Sequence, residues 1–390
     1  MAEQVHAILS ASGSSRWLAC PPSAQLELQF PRSESTYADE GTAAHELCEV
    51  TARYRLGEID KKAYTARLRK LKTGQYYNTE MKECADDYGD FILETVNAAK
   101  ELCPDAFAEI EVTDLDFSEW APDGFGTGDC IIVSDDLLEI IDFKYGKGVR
   151  VEAVNNSQMM LYALGAINRY GDLYDIKRIR MSIIQPRINR EPSTSESDVN
   201  ALLYWAENVV KPRAALAAEG KGEYAPGADT CKFCRAKEVC RARAEKNLAL
   251  FDDTPDALLI TPSEAGEILE RAEDIRAWLT DLENLVMKTL FEGVPVTGWK
   301  LVEGRSNRKF VDDLQVAEAM LAAGFEEAIL YERNLITLTA MEKAFGKKAV
   351  AEILEDLIIK PAGKPTLAPA KDKRPEFTPD ALIIDAFDEE

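Results

Sequence analysis

Between residues 107 and 143 the chain holds three short β-rich stretches, Phe107 to Val112, Thr127 to Val133 and Leu138 to Phe143. They are separated by the turn signals Pro122-Asp-Gly and Ser134-Asp-Asp. Strands this close in sequence pair as an antiparallel meander, and such a sheet is stable only when at least one face is covered. The flanking sequence supplies the cover. Residues 40 to 57 place Ala43, Leu47, Val50 and Tyr54 at helical spacing, 79 to 103 continue as a long amphipathic helix from near Thr79, and another helix spans about Asn156 to Tyr170. A fourth strand around Arg178 to Gln185 follows, then a polar loop, then a helix from Ser197 to Ala218. This order predicts an α/β fold, a mixed sheet flanked by helices.

At 390 residues and 46% apolar content the chain has room for two domains. The cysteine-rich stretch 231 to 243 closes the first, predicted over 1–250, and 251–260, opening with Phe251-Asp-Asp-Thr-Pro, reads as a linker. Thr261-Pro-Ser-Glu264 is a capping box that opens a helix to about Glu292, the first element of a smaller α-rich domain over 261–359. The tail, 360–390, combines a basic, proline-rich stretch with an acidic end bearing apolar side chains. Thr254-Pro-Asp-Ala-Leu-Leu-Ile260 recurs there as Thr378-Pro-Asp-Ala-Leu-Ile-Ile384. Both copies could occupy equivalent grooves in one chain or between chains, so a homo-oligomer is one arrangement that the echo allows. No apolar run is long enough to span a bilayer, and the N-terminus lacks the basic-then-apolar order of a secretory signal. The expectation is a cytoplasmic protein without a membrane partner, in which eight cysteines are metal or cluster ligands and buried thiols rather than a disulfide framework.

A formal charge of -23 argues against a simple nucleic-acid binder, because phosphate contacts are made by Lys and Arg. The charge is uneven. Residues 140 to 250 carry 18 Lys and Arg against 13 Asp and Glu. Acidic flanks would steer a polyanion to that segment, although ordinary solubility charge accounts for them equally well.

Within that segment Asp142 and Lys144 stand two residues apart near the end of a strand, and Asp129 lies on the strand before it, after Gly126-Thr-Gly128. If the two strands are adjacent and antiparallel, both carboxylates reach one edge of the sheet. Hard oxygen ligands suit Mg²⁺ or Mn²⁺, and His45 would bias the site towards Mn²⁺. Lys144 shares a face with Asp142 by the two-residue strand period and could orient an attacking water or stabilise a pentavalent phosphate. Asp-x-Lys alone fits a salt-bridged strand end just as well. Glu109 and Glu111 on the preceding strand are edge glutamates, with Glu111 a possible further ligand. Tyr145, Lys147 and Arg150 could contact phosphate or simply form a solvated loop.

Taken in order, Gly-Thr-Ala-Ala-His45, Gly-Thr-Gly-Asp129, Ile-Asp-Phe-Lys144, Gln158 and Tyr162 resemble the PD-(D/E)xK nucleases of the RecB and AddB type, including the CRISPR-associated exonucleases. The resemblance covers roughly residues 8 to 245. It is narrowest to a phage-associated branch that shares Asp142-Phe-Lys-Tyr-Gly-Lys-Gly148 and the C-terminal extension. It implies a restriction-endonuclease-like sheet, with His45, Asp129 and Asp142 as metal ligands, Lys144 as the catalytic lysine, and Gln158 and Tyr162 on a helix beside the site. The implied activity is a metal-dependent exonuclease on single-stranded DNA or DNA ends in recombination or replication, with a helicase or single-strand-binding protein as partner. The alternative is a catalytically silent DNA-end-binding scaffold. The complete His, Asp, Asp, Lys set favours the enzyme.

Cys231, Cys234 and Cys240 form C-x2-C-x5-C within a basic run, and three thiolates leave one coordination position open. Cys20 matches the distant first cysteine of the resembled nucleases, and the resemblance implies a [4Fe–4S] cluster on these four thiolates. Structural Zn²⁺ is the alternative. Cys48, Cys84, Cys103 and Cys130 lack ligand spacing and read as small buried thiols.

Overall fold

The sheet grows from β1 (Phe107–Asp116), β2 (Phe125–Ser134) and β3 (Leu137–Phe143), an antiparallel meander in register Cys130↔Ile141 and Ile131↔Ile140. A helix, Ser157–Tyr170, carries the chain over one face to β4 (Arg178–Gln185), which pairs parallel to β3. A fifth strand, β5 (Asn189–Asp198), returns antiparallel along β4, so the strand order is β1-β2-β3-β4-β5. The computed structural model describes residues 7–31, 36–249, 261–302, 313–323, 336–354 and 357.

Helices cover both faces, which is why β3 is almost wholly buried. In chain order the first unit adds α1 (Ser14–Ala19), α2 (Ser23–Leu26), α3 (Thr36–Arg55), α4 (Lys61–Leu71) and α5 (Thr79–Leu102) ahead of the sheet. The crossover helix is α6. After the sheet come α7 (Val199–Trp205) and α8 (Lys211–Glu219), joined without a break through one π-turn at Ala206–Val210, then α9 (Ala228–Lys232), α10 (Arg241–Leu248) and α11 (Pro262–Phe291).

The strand period of two sorts the core into layers. Ile131, Val133, Leu138 and Ile140 face α6, where Met159, Leu161 and Ala163 meet them. Cys130, Ile132, Ile141 and Phe143 face the other way, onto Leu47 and Cys48 of α3 and Met81, Tyr88 and Ile92 of α5. Each fully buried side chain of this size contributes about 1.5–3 kcal/mol. One face of the sheet therefore belongs to α6 and the other to α3 and α5. The two helical layers meet beyond the carboxyl end of β3.

Three elements differ from the sequence reading. The polar loop after β4 is in fact β5, whose Ser, Thr and Glu side chains give no apolar alternation because it is an edge strand, where Pro192 is also tolerated. Helix α4 has no fully buried residue and so carries little periodic signal. The contact pattern divides the chain into Met1–Val294 and Pro295–Glu390, which puts α11 in the first unit and not in an accessory domain beginning at 261. Its capping box forms as expected, with Thr261 accepting from the Glu264 N–H and Glu264 from the Thr261 N–H. Buried ion pairs tie α11 to the cysteine-rich segment: Arg243 meets Asp281 at 2.6 Å and Asp274 at 3.4 Å, and Lys237 meets Asp281 at 2.7 Å.

The second unit is helical where it is described, with α12 (Asp313–Ala322), α13 (Leu338–Phe345) and α14 (Lys347–Ile353). Gly346 separates the last two at φ 86°, a left-handed conformation that favours glycine. The linker 251–260, the tail 360–390 and both copies of the Thr-Pro-Asp-Ala-Leu segment lie outside the described residues.

Candidate active site

Asp142 lies on β3 and Asp129 on the neighbouring strand β2, one residue before the Cys130↔Ile141 pair, so the antiparallel pairing brings the two carboxylates to one cavity. They sit on interior strands, Asp142 near the end of β3 and Asp129 in the middle of β2. The edge position expected from the sequence is corrected by the strand order, which places β1 and β5 outside them. Lys144 extends the ladder by one residue, its N–H bonded to the Ile184 carbonyl at 2.8 Å, and returns Nζ to within 2.9 Å of Asp142 Oδ2. From the other helical layer His45 of α3 donates Nδ1–H to Asp129 Oδ1 at 3.0 Å and packs edge-on against Phe143. The remaining Asp129 oxygen accepts the Phe143 N–H at 2.8 Å, which fixes the carboxylate.

Helix α6 supplies the other wall. Asn156 caps it by accepting from the N–H groups of Gln158 and Met159, which sets Gln158 in the first turn beside the lysine. Its Oε1 accepts from Lys144 Nζ at 3.2 Å, and its amide N–H2 reaches Tyr162 Oη at 3.0 Å and Asp142 Oδ1 at 3.4 Å. Of the two glycines before Asp129, Gly126 makes room for this helix and Gly128 for β1. A Cβ on Gly126 would stand 2.6 Å from the Tyr162 ring, and one on Gly128 would stand 3.0 Å from Leu115.

His45, Asp129, Asp142, Lys144, Gln158 and Tyr162 line a single cavity of about 460 Å³, with Glu46, Glu49, Tyr88 and Glu111 on its walls. Asp142 is only 3% exposed, so burial pushes its carboxyl up from the ordinary range, against the pull of Lys144. For Lys144, burial alone would favour the neutral amine, but Asp142 and Asp129 more than offset it and hold the ammonium form. For His45 too, burial is outweighed by the Asp129 hydrogen bond and charge, and the imidazole is more basic than usual. Burial and the Asp142 charge push the Tyr162 phenol well up, so it stays a neutral donor and acceptor.

Do these residues suit a divalent cation? Two buried oxygens at the cavity, Asp142 Oδ2 and Tyr88 Oη, make no hydrogen bond, although the former is ion-paired. Two carboxylates and an imidazole are the donor types that Mg²⁺ or Mn²⁺ takes. Among the described residues no three His, Cys, Asp or Glu side chains stand close enough together to hold an ion as placed. The donor set fits, with His45, Asp129 and Asp142 as the residues that would hold the ion.

Cys20, Cys231, Cys234 and Cys240, from opposite ends of the first unit, line one small cavity of about 20 Å³ with Leu26, Tyr224 and Lys237. All four are free thiols. Burial pushes Cys231 up and Cys234 up to about 11, so neither is a thiolate by itself, and a bound cation would have to displace their protons. Four thiols are the donor type that a tetrahedral metal or cluster takes, although as placed no three of them stand close enough together to hold one. The protein contacts already join the two ends: Glu27 accepts the Arg235 N–H at 2.8 Å, and Gln25 donates to the Ala218 carbonyl at 2.7 Å.

Residues 6–375 match the family described as "Protein of unknown function (DUF2800)". The chain belongs to the DUF2800 family. A solved structure described as "Crystal structure of SSO0001" is similar to this DUF2800 chain over 59% of its length and 96% of that chain's, at 15% identity and a TM-score of 0.23. A likeness at that level carries no argument about activity.

Several residues near the site make contacts of their own in the DUF2800 chain. Lys147 pairs with Glu80 and Arg150 with Glu152, while Tyr145 is buried under the Arg187 guanidinium. Glu109 turns away from the cavity to bind Arg169 and the Tyr170 hydroxyl. Glu111 does reach the cavity from β1, where its φ is 55°. Cys48, Cys84 and Cys130 are buried as expected and Cys103 is partly exposed. Glu46, Glu49 and Tyr88 went unnoticed in the sequence, although Glu46 and Glu49 stand one and four residues beyond His45 on the same helix.

Proposed function

We propose that this protein is a divalent-metal-dependent nuclease that hydrolyses phosphodiester bonds in DNA. The observation that supports this most directly is the ion pair of Lys144 with the buried Asp142, set beside Asp129 and His45 in one cavity. A surface salt bridge at a strand end would need neither burial nor the Gln158 hydrogen bond that holds the lysine in place.

When bound, the cation would activate water and neutralise charge developing on the phosphate. The protein's own share is positional. Asp129 and Asp142 present oxygens at fixed places because the Phe143 N–H and His45 hold the first and Lys144 and Gln158 the second. The Lys144 ammonium faces the cavity as a fixed positive charge that can stabilise a pentavalent phosphate or orient the attacking water. Gln158 keeps Lys144, Asp142 and Tyr162 in one network, so that the lysine cannot swing into solvent. The resemblance to RecB-type nucleases extends the reading to single strands or DNA ends, and the cysteine quartet to a [4Fe–4S] or Zn²⁺ staple.

End-labelled single- and double-stranded DNA incubated with Mg²⁺ or Mn²⁺ tests the reading. We expect cleavage by the wild type and none by Asp142→Ala. Equal products from both would refute it.

A further inference from the structure

The region from Lys61 to Asn78 contains six Lys and Arg, three Tyr and no Asp or Glu, inside a chain of net charge -23. Helix α4, capped by Asp60, forms most of it. Its inner side is turned onto its neighbours, with Tyr64 stacked on Tyr54 of α3 at 4.4 Å and Leu68 and Leu71 packed against the α3–α5 core. Its outer side is cationic and exposed. Arg67 lies 3.8 Å from Glu49, whereas among the described residues Lys61, Lys62, Arg69, Lys70 and Lys72 make no ion pair. A second cavity of about 250 Å³ opens between α3, α4 and α5, lined by Lys70, Tyr76 and Tyr77 among others. It adjoins the catalytic cavity, because Glu46 lines both.

We infer that α4 and the Tyr76–Tyr77 cavity form the binding subsite for a single-stranded nucleic acid that leads into the catalytic cavity. A row of unpaired cations calls for a polyanion, since in an acidic protein such a patch is not general solubility charge. Tyr76 and Tyr77 pack partly against the α3–α5 core, with Lys72 over the Tyr77 ring, and the faces they leave at the cavity wall suit a ligand that is itself flat. Single-stranded nucleic acid has both properties, and a duplex keeps its bases stacked on each other. A lipid surface is a poor match because the apolar side of α4 is already used against α3 and α5. The inference deepens the nuclease reading and rests on it for the direction in which the strand runs.

Binding is measured by fluorescence anisotropy in chelator, where cleavage is silent, using labelled oligodeoxythymidylate and oligouridylate of about 20 nucleotides and a duplex of the same length. The wild type should prefer the single strands over the duplex, and the ratio of the first two identifies the sugar it takes. Replacing Lys61, Lys62, Arg69 and Lys70 together by Gln leaves the buried side of α4 untouched. It should weaken single-strand binding at least about tenfold and flatten the salt dependence by about 0.7 in log–log slope for each phosphate that is no longer neutralised. Tyr76→Leu and Tyr77→Leu keep the apolar bulk, and each should cost about tenfold by removing a stacking face. Circular dichroism of each variant checks the fold. Unchanged affinity in the folded quadruple variant overturns the inference, and so does a polyglutamate chain that competes as well as the oligonucleotide. The two readings fail separately. Wild-type cleavage with unaltered binding by the variants removes this subsite and spares the nuclease, while α4-dependent binding without metal-dependent cleavage does the reverse.

Discussion

At the scale of single residues, Asp142 and Lys144 are a coupled pair rather than two independent catalytic groups. Removing one leaves the other charged in a poorly solvated place. Asp142 is 3% exposed and the Lys144 side chain about a quarter exposed, so Asp142→Ala should cost stability on the order of 3 kcal/mol as well as activity. Asp129 is nearer solvent, and Asp129→Ala should abolish cleavage at a smaller cost in stability. Asp142 stands near a strand end and is buried all the same. Lys144→Ala should lower the rate by about 10²–10³ by removing a fixed charge from the reacting phosphate. Urea denaturation beside a cleavage assay separates the effects: equal midpoints for Asp142→Ala and Asp129→Ala would show that the pair is not buried as described. His45, Asp129, Asp142, Lys144, Gln158 and Tyr162 were legible because spaced motifs name the residue types that a metal and a phosphate need. Glu46, Glu49 and Tyr88 were not, since nothing in a linear sequence shows which side chains converge.

At the scale of elements, the site depends on how closely α6 lies on the sheet. Gly165 is where it touches: a Cβ there would stand 2.7 Å from the Leu115 carbonyl carbon and 2.8 Å from its Cβ. Backbone cannot yield as a flexible side chain can, so Gly165→Ala should destabilise by about 1–3 kcal/mol. It should also lift α6 and with it Gln158, so that activity falls further than the loss of folded protein explains. A folded Gly165→Ala variant with wild-type activity would show that α6 has freedom the packing denies it. The regular elements were legible where burial is periodic, as in α3, α5, α6 and the first four strands. β5 and α4 were not. One is a polar edge strand held by its backbone ladder and the other has no fully buried residue, so in both the fold depends on neighbours that the local pattern does not reveal.

At the scale of the whole molecule, the four cysteines close the longest loop of the first unit, because Cys20 and Cys231 stand about 210 residues apart yet line the same cavity. A bound cation there would add to contacts that already hold the ends, including Glu27 to Arg235 and the burial of Arg243 between Asp274 and Asp281 of α11. This changes what metal removal should do. Small domains that rely on a metal for folding lose their structure without it, whereas here the sheet and its two helical layers form a large core of their own. Protein purified without oxygen should contain about four irons per chain, or one zinc if the tetrahedral reading is right. Chelation should lower the thermal midpoint and speed proteolysis around residues 220–250, yet leave the far-ultraviolet spectrum of the sheet and helices nearly unchanged. Cys20→Ala should have the same effect without chelator, because the remaining three thiols lie on one short segment and cannot reach across to the N-terminus. Global unfolding on chelation would mean that the staple, and not the protein contacts beside it, holds the first unit together. Metal content unaltered by Cys20→Ala would remove the long-range link altogether.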